Sequence, residues 1–298
     1  MKNIKFIFSG LSKNCITTTK KNIESIIEIN KEYEQINLNC IFVDSDSTDG
    51  TKELLNEYSK NYDFIKIINE DNLEEKLKTR IERISHCRNI CLEEIHAKFP
   101  DNNLIYIPLD LDVDQFQITN INKFIVILKK FVNSKDIQGC FPVSSPYYYD
   151  IFALRAKGWL NINSQLIVNK FKKYIPLGSF FWNYFFIFRK QWKIEKIKKS
   201  NYDLKSAFGG AGMYKINNTK SREARYSYSS KNTNFVSEHI YFNNYFNNLV
   251  IDSNWIVPAP EEHLEFKALN LYDRFFYILK TFKFDLKNNL LFFLNNKK

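Results

Sequence analysis

Two carboxylate clusters are marked out by residue type and spacing. "VDSDSTDGT" sets Asp44, Asp46 and Asp49 among hydroxyls directly after an apolar run, and "YIPLDLDVD" sets Asp110, Asp112 and Asp114 at alternate positions after another. Turns after strands are often rich in Asp, Ser, Thr and Gly, whose side chains bond their own backbone. Carboxylates at period two need a further reason. On a continuing strand the three would share one face and repel one another unless a cation stood among them. Oxygen ligands at a strand end suit Mg²⁺ or Mn²⁺, which bridge carboxylates to substrate phosphates. The chain has no GxxxxGK(S/T) loop and no GxGxxG, so a nucleotide would need a different cradle.

Periodicity predicts the elements that position these clusters. Residues 4–10, 37–44, 64–69 and 103–114 read as strands. Helices are expected on "TTTKKNIESIIEINKEY", capped by Thr17 or Thr18, and on "TKELLNEYSKNY", where Asp49 and Gly50 shape and cap the start. One long helix is expected across "KLKTRIERISHCRNICLEEIHAKF", with Ile81, Ile84, Cys87, Cys91 and Ile95 in a stripe. The β-α-β alternation predicts an α/β fold with a parallel sheet and right-handed crossovers. Ligands of such sheets bind beyond the carboxyl ends of the strands, where both acidic turns fall. After residue 150 the pattern loosens, with short strands expected at 137–144 and 212–216 among aromatic-rich helices. No Pro/Gly/Ser linker interrupts the chain, which favours one domain, 1–264, with a regular first half and an elaborated second half, followed by a basic, aromatic helical segment at 265–298.

The 298 residues are 44% hydrophobic, enough for a sizeable core. The net charge of +10 is unevenly placed: residues 170–199 hold nine Lys and Arg against Glu195 alone. Five cysteines without regular spacing argue against a disulfide framework and for a reducing compartment. Cys87 and Cys91 lie one helical turn apart but lack a second pair at ligand spacing, so they read as core residues rather than a zinc site. The most apolar stretch, 174–188, is broken by Pro176, Gly178 and Asn183, short of a membrane span. A cytoplasmic protein is expected. "FRKQWKIEKIKKS" (188–200) and residues 269–298 interleave large apolar side chains with cations, as helices lying in a bilayer interface do. That predicts peripheral attachment to an anionic membrane, with packing against the protein's own core as the alternative.

In order along the chain, "SDSTDGT", "RIERISHCRNICLEEI", "YYDIFALR", "FGGAGMYK" and "SEHIYFN" accompany the "DLD" turn. This set resembles GT-A glycosyltransferases over about residues 4–260, and is similar in detail to the fungal capsule-associated mannosyltransferase family and its bacterial and viral relatives. The resemblance implies a GT-A fold: a Rossmann-like, mostly parallel sheet with an elaborated C-terminal acceptor lobe. It implies that 1–118 is the nucleotide-sugar-binding half and 119–264 the acceptor half. It implies a nucleoside-diphosphate sugar as donor, a glycan or lipid-linked acceptor, and Mn²⁺ or Mg²⁺ as cofactor, with no nucleic acid partner. By the same resemblance Ser9, Asp44, Asp46, Arg88, Asp110, Gly209 and Gly210 contact the donor, and Asp110, Asp112 and His239 hold the metal. Glu238 is then the general base. The chain departs from the pattern at Cys87, where Ala is usual, and at His239, where the fungal proteins tend to carry Cys. The rival readings are a nucleotidyltransferase, for which "SGLSKN" is a poor phosphate loop, and a basic module binding nucleic acid or a membrane surface through residues 170–199.

Overall fold

The computed structural model describes residues 4–33, 36–100, 103–174, 179–228 and 236–295. Strands β1 (Ile4–Ser12), β2 (Asn37–Ser45), β3 (Ile65–Glu70) and β4 (Asn103–Asp110) alternate with helices α1 (Ile16–Glu32), α2 (Thr51–Asn61), α3 (Leu73–Lys76) and α4 (Arg80–Lys98). The chain continues through α5 (Ile121–Asn133), β5 (Gly139–Ser145), β6 (Arg155–Lys157), α6 (Ser164–Tyr174), α7 (Ser179–Phe186) and α8 (Ile194–Lys199). It closes with β7 (Asp203–Ser206), β8 (Met213–Ile216), α9 (Thr219–Arg222), α10 (Glu238–Asn243), β9 (Leu249–Pro258), α11 (Glu261–Ala268) and α12 (Leu271–Asn295).

The main sheet has the order β3-β2-β1-β4-β8-β5-β9, and only β8 runs against the others. Strands β6 and β7 form a separate antiparallel pair. Side chains alternate across the sheet as period two requires. Phe6, Phe8, Phe42, Ile105 and Ile107 join Ile23 and Ile26 of α1 and Phe124 of α5 on one face. Ile7, Ile41, Val43, Leu104 and Tyr106 join Cys87, Cys91, Leu92 and Ile95 of α4 on the other. Each such side chain, fully buried, contributes about 1.5–3 kcal/mol. The fold is α/β, a mostly parallel central sheet flanked by helices. Burial pushes the Cys87 and Cys91 thiols up to about 12, so both are neutral core residues.

Several local expectations are corrected. The long helix begins only at Arg80, because Thr79 and Glu82 form a reciprocal capping box: the Glu82 amide donates to Thr79 Oγ1 (3.3 Å) and the Thr79 amide to Glu82 Oε2 (2.8 Å). Neither Thr17 nor Thr18 caps α1. Its first amide, Ile16, donates to Asp49 Oδ2 at 3.1 Å. The segment 188–200 is not an interfacial helix, since Phe188, Trp192 and Ile197 are buried. Strand β9 and the β6–β7 pair were not foreseen. No helix among the described residues is long and apolar enough to cross a membrane.

Candidate active site

A cleft of about 870 Å³ opens at the carboxyl ends of β1, β2 and β4, between the parallel half of the sheet and the chain beyond β5. Of the residues expected in the site, Arg88, Asp110, Asp112, Glu238 and His239 line it. Ser9, Asp44, Asp46, Gly209 and Gly210 do not, and each is placed by a different physical cause.

Ser9 lies inside β1, buried, its hydroxyl donating to Tyr106 Oη at 3.1 Å. Asp44, at the end of β2, is 1% exposed and accepts from the hydroxyls of Ser12 (2.7 Å) and Ser47 (2.6 Å). Asp46 adopts a left-handed conformation (φ 58°) and turns away from the cleft. Its carboxylate accepts from the amides of Asn72 (2.6 Å), Leu73 (2.9 Å) and Glu74 (3.3 Å), the donors α3 leaves unpaired at its start. Asp49 accepts from the amides of both Ile16 and Thr51, joining the starts of α1 and α2. The oxygen-rich turn therefore ties three chain segments together and leaves Ser45, with Leu11, Ser12 and Lys13, to face the cleft. Replacing Asp46 by Ala leaves three amides without their acceptor and should destabilise the fold by about 1–2 kcal/mol, measurable by urea denaturation.

Asp110 ends β4, its amide donating to the Gly210 carbonyl (2.8 Å) and its own carbonyl accepting from Gln115 Nε2 (2.9 Å). Beyond it the chain leaves the sheet, so Asp110, Asp112 and Asp114 do not share a face. Asp114 pairs with Lys21 of α1 at 3.5 Å, whereas Asp112 is exposed at the cleft. Arg88, 5% exposed in its side chain, projects from α4 between two acids. Nη2 donates to Asp110 Oδ1 at 2.9 Å, and Nε faces Glu238 Oε1 at 3.4 Å as an ion pair without hydrogen-bond alignment. The guanidinium lies over the rings of Phe208 (4.9 Å) and Tyr226 (5.5 Å). Burial alone would depress its pKa, but Asp110, Tyr226 and Glu238 more than offset this, so Arg88 stays charged. Burial also dominates at Asp110, pushing its carboxyl up to about 7 against the pull of Arg88, with the charges of Asp112, Asp150 and Glu238 adding to the rise. Glu238, at the start of α10, is raised by burial too.

His239 is buried and stacks on Phe208 with centroids 3.6 Å apart. Its Nε2 lies 3.3 Å from Glu238 Oε1, and neither ring nitrogen makes a hydrogen bond. Burial, then the charge of Arg88, lowers its pKa well below 6.5, so it is neutral. The metal set Asp110, Asp112 and His239 is not assembled: among the described residues no three Asp, Glu, His or Cys stand together as ion ligands. What does fit a hard dication is the oxygen pair at the strand end, Asp110 and Asp112. An ion held by two carboxylates draws its remaining ligands from water and phosphate, as Mg²⁺ commonly does.

Asp150, in "YYDIFALR", also lines the cleft, a position its sequence does not signal. It accepts from the Gly209 amide (3.0 Å) and the Ala153 amide (3.2 Å). Gly209 and Gly210 have φ of +70° and +91°, and a Cβ on Gly210 would meet Tyr149 Oη at 2.9 Å. They shape the loop that joins Asp150 to Asp110, while Phe208 beside them faces the cleft. Only long-range contact shows Asp150 to be a site residue, since its local sequence reads as an ordinary turn.

Residues 12–91 match the family model Glycosyl transferase family 2. The matched segment runs from the end of β1 into α4 and includes Asp44, Asp46 and Arg88; it supports a glycosyltransferase as the class of enzyme. Among solved structures the chain is similar to a mannosyltransferase from Pyrobaculum calidifontis in complex with GDP-Man and Mn²⁺. That pair is 11% identical, with 86% of this chain and 57% of the other covered and a TM-score of 0.49. It is similar to S. aureus TarS in complex with UDP at 12% identity, 95% and 66% coverage and a TM-score of 0.45. A third likeness is to glucosyl-3-phosphoglycerate synthase from Mycobacterium tuberculosis in complex with Mn²⁺, UDP and phosphoglyceric acid, at 10% identity, 88% and 73% coverage and a TM-score of 0.42. The chain thus spans less than two thirds of the length of the first two. No curated protein matches.

Proposed function

We propose that the protein is a metal-dependent glycosyltransferase that moves a sugar from a nucleoside diphosphate to a hydroxyl of a glycan or lipid-linked acceptor. The observation that carries this reading is the array at the centre of the cleft: buried Arg88 fixing Asp110 at a strand end and Glu238 opposite, with Asp112 open beside them. The nucleoside lies along Ser12, Lys13 and Ser45, on the turn that Asp44 and Asp46 hold rigid. Asp110 and Asp112 hold Mn²⁺ or Mg²⁺, which when bound neutralises charge on the leaving diphosphate. Glu238 takes the proton from the acceptor hydroxyl as that oxygen attacks the anomeric carbon. The bond from that carbon to the diphosphate breaks, and the nucleoside diphosphate leaves with the electron pair. A carboxylate whose pKa is raised by burial is suited to this transfer near neutral pH. Arg88 keeps both acids in register, and Asp150 braces the loop carrying Phe208. The resemblance to capsule mannosyltransferases makes GDP-mannose the first donor to try.

A thermal-shift screen of UDP, GDP and CDP, with and without Mn²⁺, tests this. A nucleotide at a hundred times its dissociation constant should add about 2.7 kcal/mol of stability. Asp112→Asn should lose the Mn²⁺-dependent part of the shift while keeping the parent's stability without ligand. The same Mn²⁺-dependent shift in that variant would remove Asp112 from the site, and no shift with any nucleotide would remove the reading.

A further inference from the structure

Helix α12 is docked by one side and bare on the other. Tyr277 packs against Phe266 (5.8 Å), Phe188 (6.4 Å) and Phe180 (6.5 Å). Leu271, Tyr272, Phe275, Phe276, Leu279 and Leu286 are instead exposed, from 84% at Leu271 to 46% at Leu279. At 3.6 residues per turn these six fall within an arc of about 140°. The bare face continues on α7, where Phe181 and Phe185 are 51% and 46% exposed and Phe181 lies 6.1 Å from Phe282 of α12. Soluble monomers rarely leave so large an apolar surface in water without a use for it.

Cations surround this surface. Lys280 and Lys283 are exposed on α12, and Arg189 stacks on Phe185 at 5.5 Å. At the foot of α12, Lys193, Lys196 and Lys267 gather about two rings, and Arg274 lies over a third, Phe266, at 5.3 Å. The ammonium groups of Lys267 and Lys193 lie 4.2 and 5.6 Å from Tyr147, and that of Lys196 lies 4.1 Å from Trp192. Lys267 donates to the Gln191 carbonyl, and Arg274 to those of Phe266 and Lys267. Burial first, and then the charges of Lys196, Lys193 and Arg274, bring the Lys267 ammonium down to about 8. No carboxylate among the described residues stands within ion-pair distance of the cluster.

We propose that the bare face of α7 and α12, with the cluster of Lys193, Lys196, Lys267 and Arg274 at its foot, docks onto an anionic lipid bilayer. Aromatic side chains enter the headgroup region while the cations meet lipid phosphate, with α12 lying along the surface. Charge complementarity favours this occupant over a second copy of the chain: the cations among and beside the exposed rings, Arg189, Lys193, Lys196, Lys280 and Lys283, find counter-charge in lipid phosphate, whereas a copy presenting the same face brings the same cations.

The full chain should float with vesicles of phosphatidylcholine mixed with phosphatidylglycerol at low salt, bind pure phosphatidylcholine weakly, and come off as salt rises. Lys193→Glu with Lys196→Glu, and separately Phe275→Ser with Phe276→Ser, should each lower partitioning at least about tenfold. Retained nucleotide-dependent thermal shift would show these variants folded, and circular dichroism serves if the cleft binds no nucleotide. Leu271→Ser, at the most exposed position, is the milder version should the aromatic pair fail to fold. The proposal is overturned if the full chain stays unbound at low salt, or if both double variants float like the parent. It is overturned equally if sedimentation finds a dimer that the Phe275/Phe276 variant splits, which would make the face a protein interface.

Discussion

Arg88→Met should be the most damaging single change in the cleft, costing the fold about 3–5 kcal/mol and turnover at least about 10³-fold. The thioether fills much of the space between Phe208 and Tyr226, so packing loss is small and the effect is electrostatic. It arises because Glu238, buried, and Asp110, 31% exposed in its side chain, are left without the cation that links them. Both carboxyls already have folded-state pKa values above the unfolded ones. Removing Arg88 raises them further, so the folded state of the variant binds more protons than the unfolded state over a wider range. For groups shifted upwards, stability is greatest below the unfolded carboxylate pKa, about 4, and is lost as pH rises through the folded value. The destabilisation relative to the parent should therefore be smaller at pH 5 than at pH 8 in urea titrations. Arg88→Lys, with one ammonium in place of a fork, should restore part of the stability but leave turnover well below the parent's. Equal losses at both pH values would show that Arg88 acts by packing.

Glu238→Gln should lower turnover about 10²–10⁴-fold while changing donor affinity little. The amide keeps the volume and one acceptor oxygen towards Arg88 but cannot take a proton. In the parent, turnover should fall as pH drops and Glu238 becomes protonated, at a pH above the ordinary carboxylate range because burial raises it. The variant should lose that limb of the profile, a readout that a purely structural Glu238 would not move. His239→Gln separates the neighbouring role. With its ring stacked on Phe208 and the ion-ligand set not assembled, Mn²⁺ affinity should be unchanged by isothermal titration. Weaker Mn²⁺ binding there would restore His239 to the ion.

The parallel half of the fold was legible because local pattern and burial agree there: β1, β2 and β4 are apolar runs inside the sheet, and the edge strand β3 is the shorter, half-exposed one. Strand β9 was not, since "LVIDSNWIVP" carries Asp252, Ser253 and Asn254 in its middle, where its pairing with β5 shifts register. The site divides in the same way. Asp110 and Asp112 could be read from a strand followed by acids, but where the strand stopped, and hence the fate of Asp114, depended on the distant loop at Gly210. Asp46 looked like a ligand residue because its partners, the amides at 72–74, have no signature in their side chains. Arg88 and Glu238 were each found by motif, yet their pairing is a fact of the fold alone.

The antiparallel strand β8 has a consequence for how the molecule could change. The chain leaves the sheet after β5, builds α6, α7 and α8 and the β6–β7 pair, and returns through β8, which is hydrogen-bonded to β5 at Gly139–Tyr214 and Cys140–Met213. The whole excursion begins and ends on neighbouring strands. Its ends are held together whatever lies between them, and doubling the length of such a loop adds only about 0.6 kcal/mol of closure entropy. The middle of this excursion, one wall of the cleft, can therefore lengthen or shorten between fixed ends, whereas its last residues, Phe208 against Arg88 and Gly210 bonded to Asp110, must stay for the opposite wall to keep its shape.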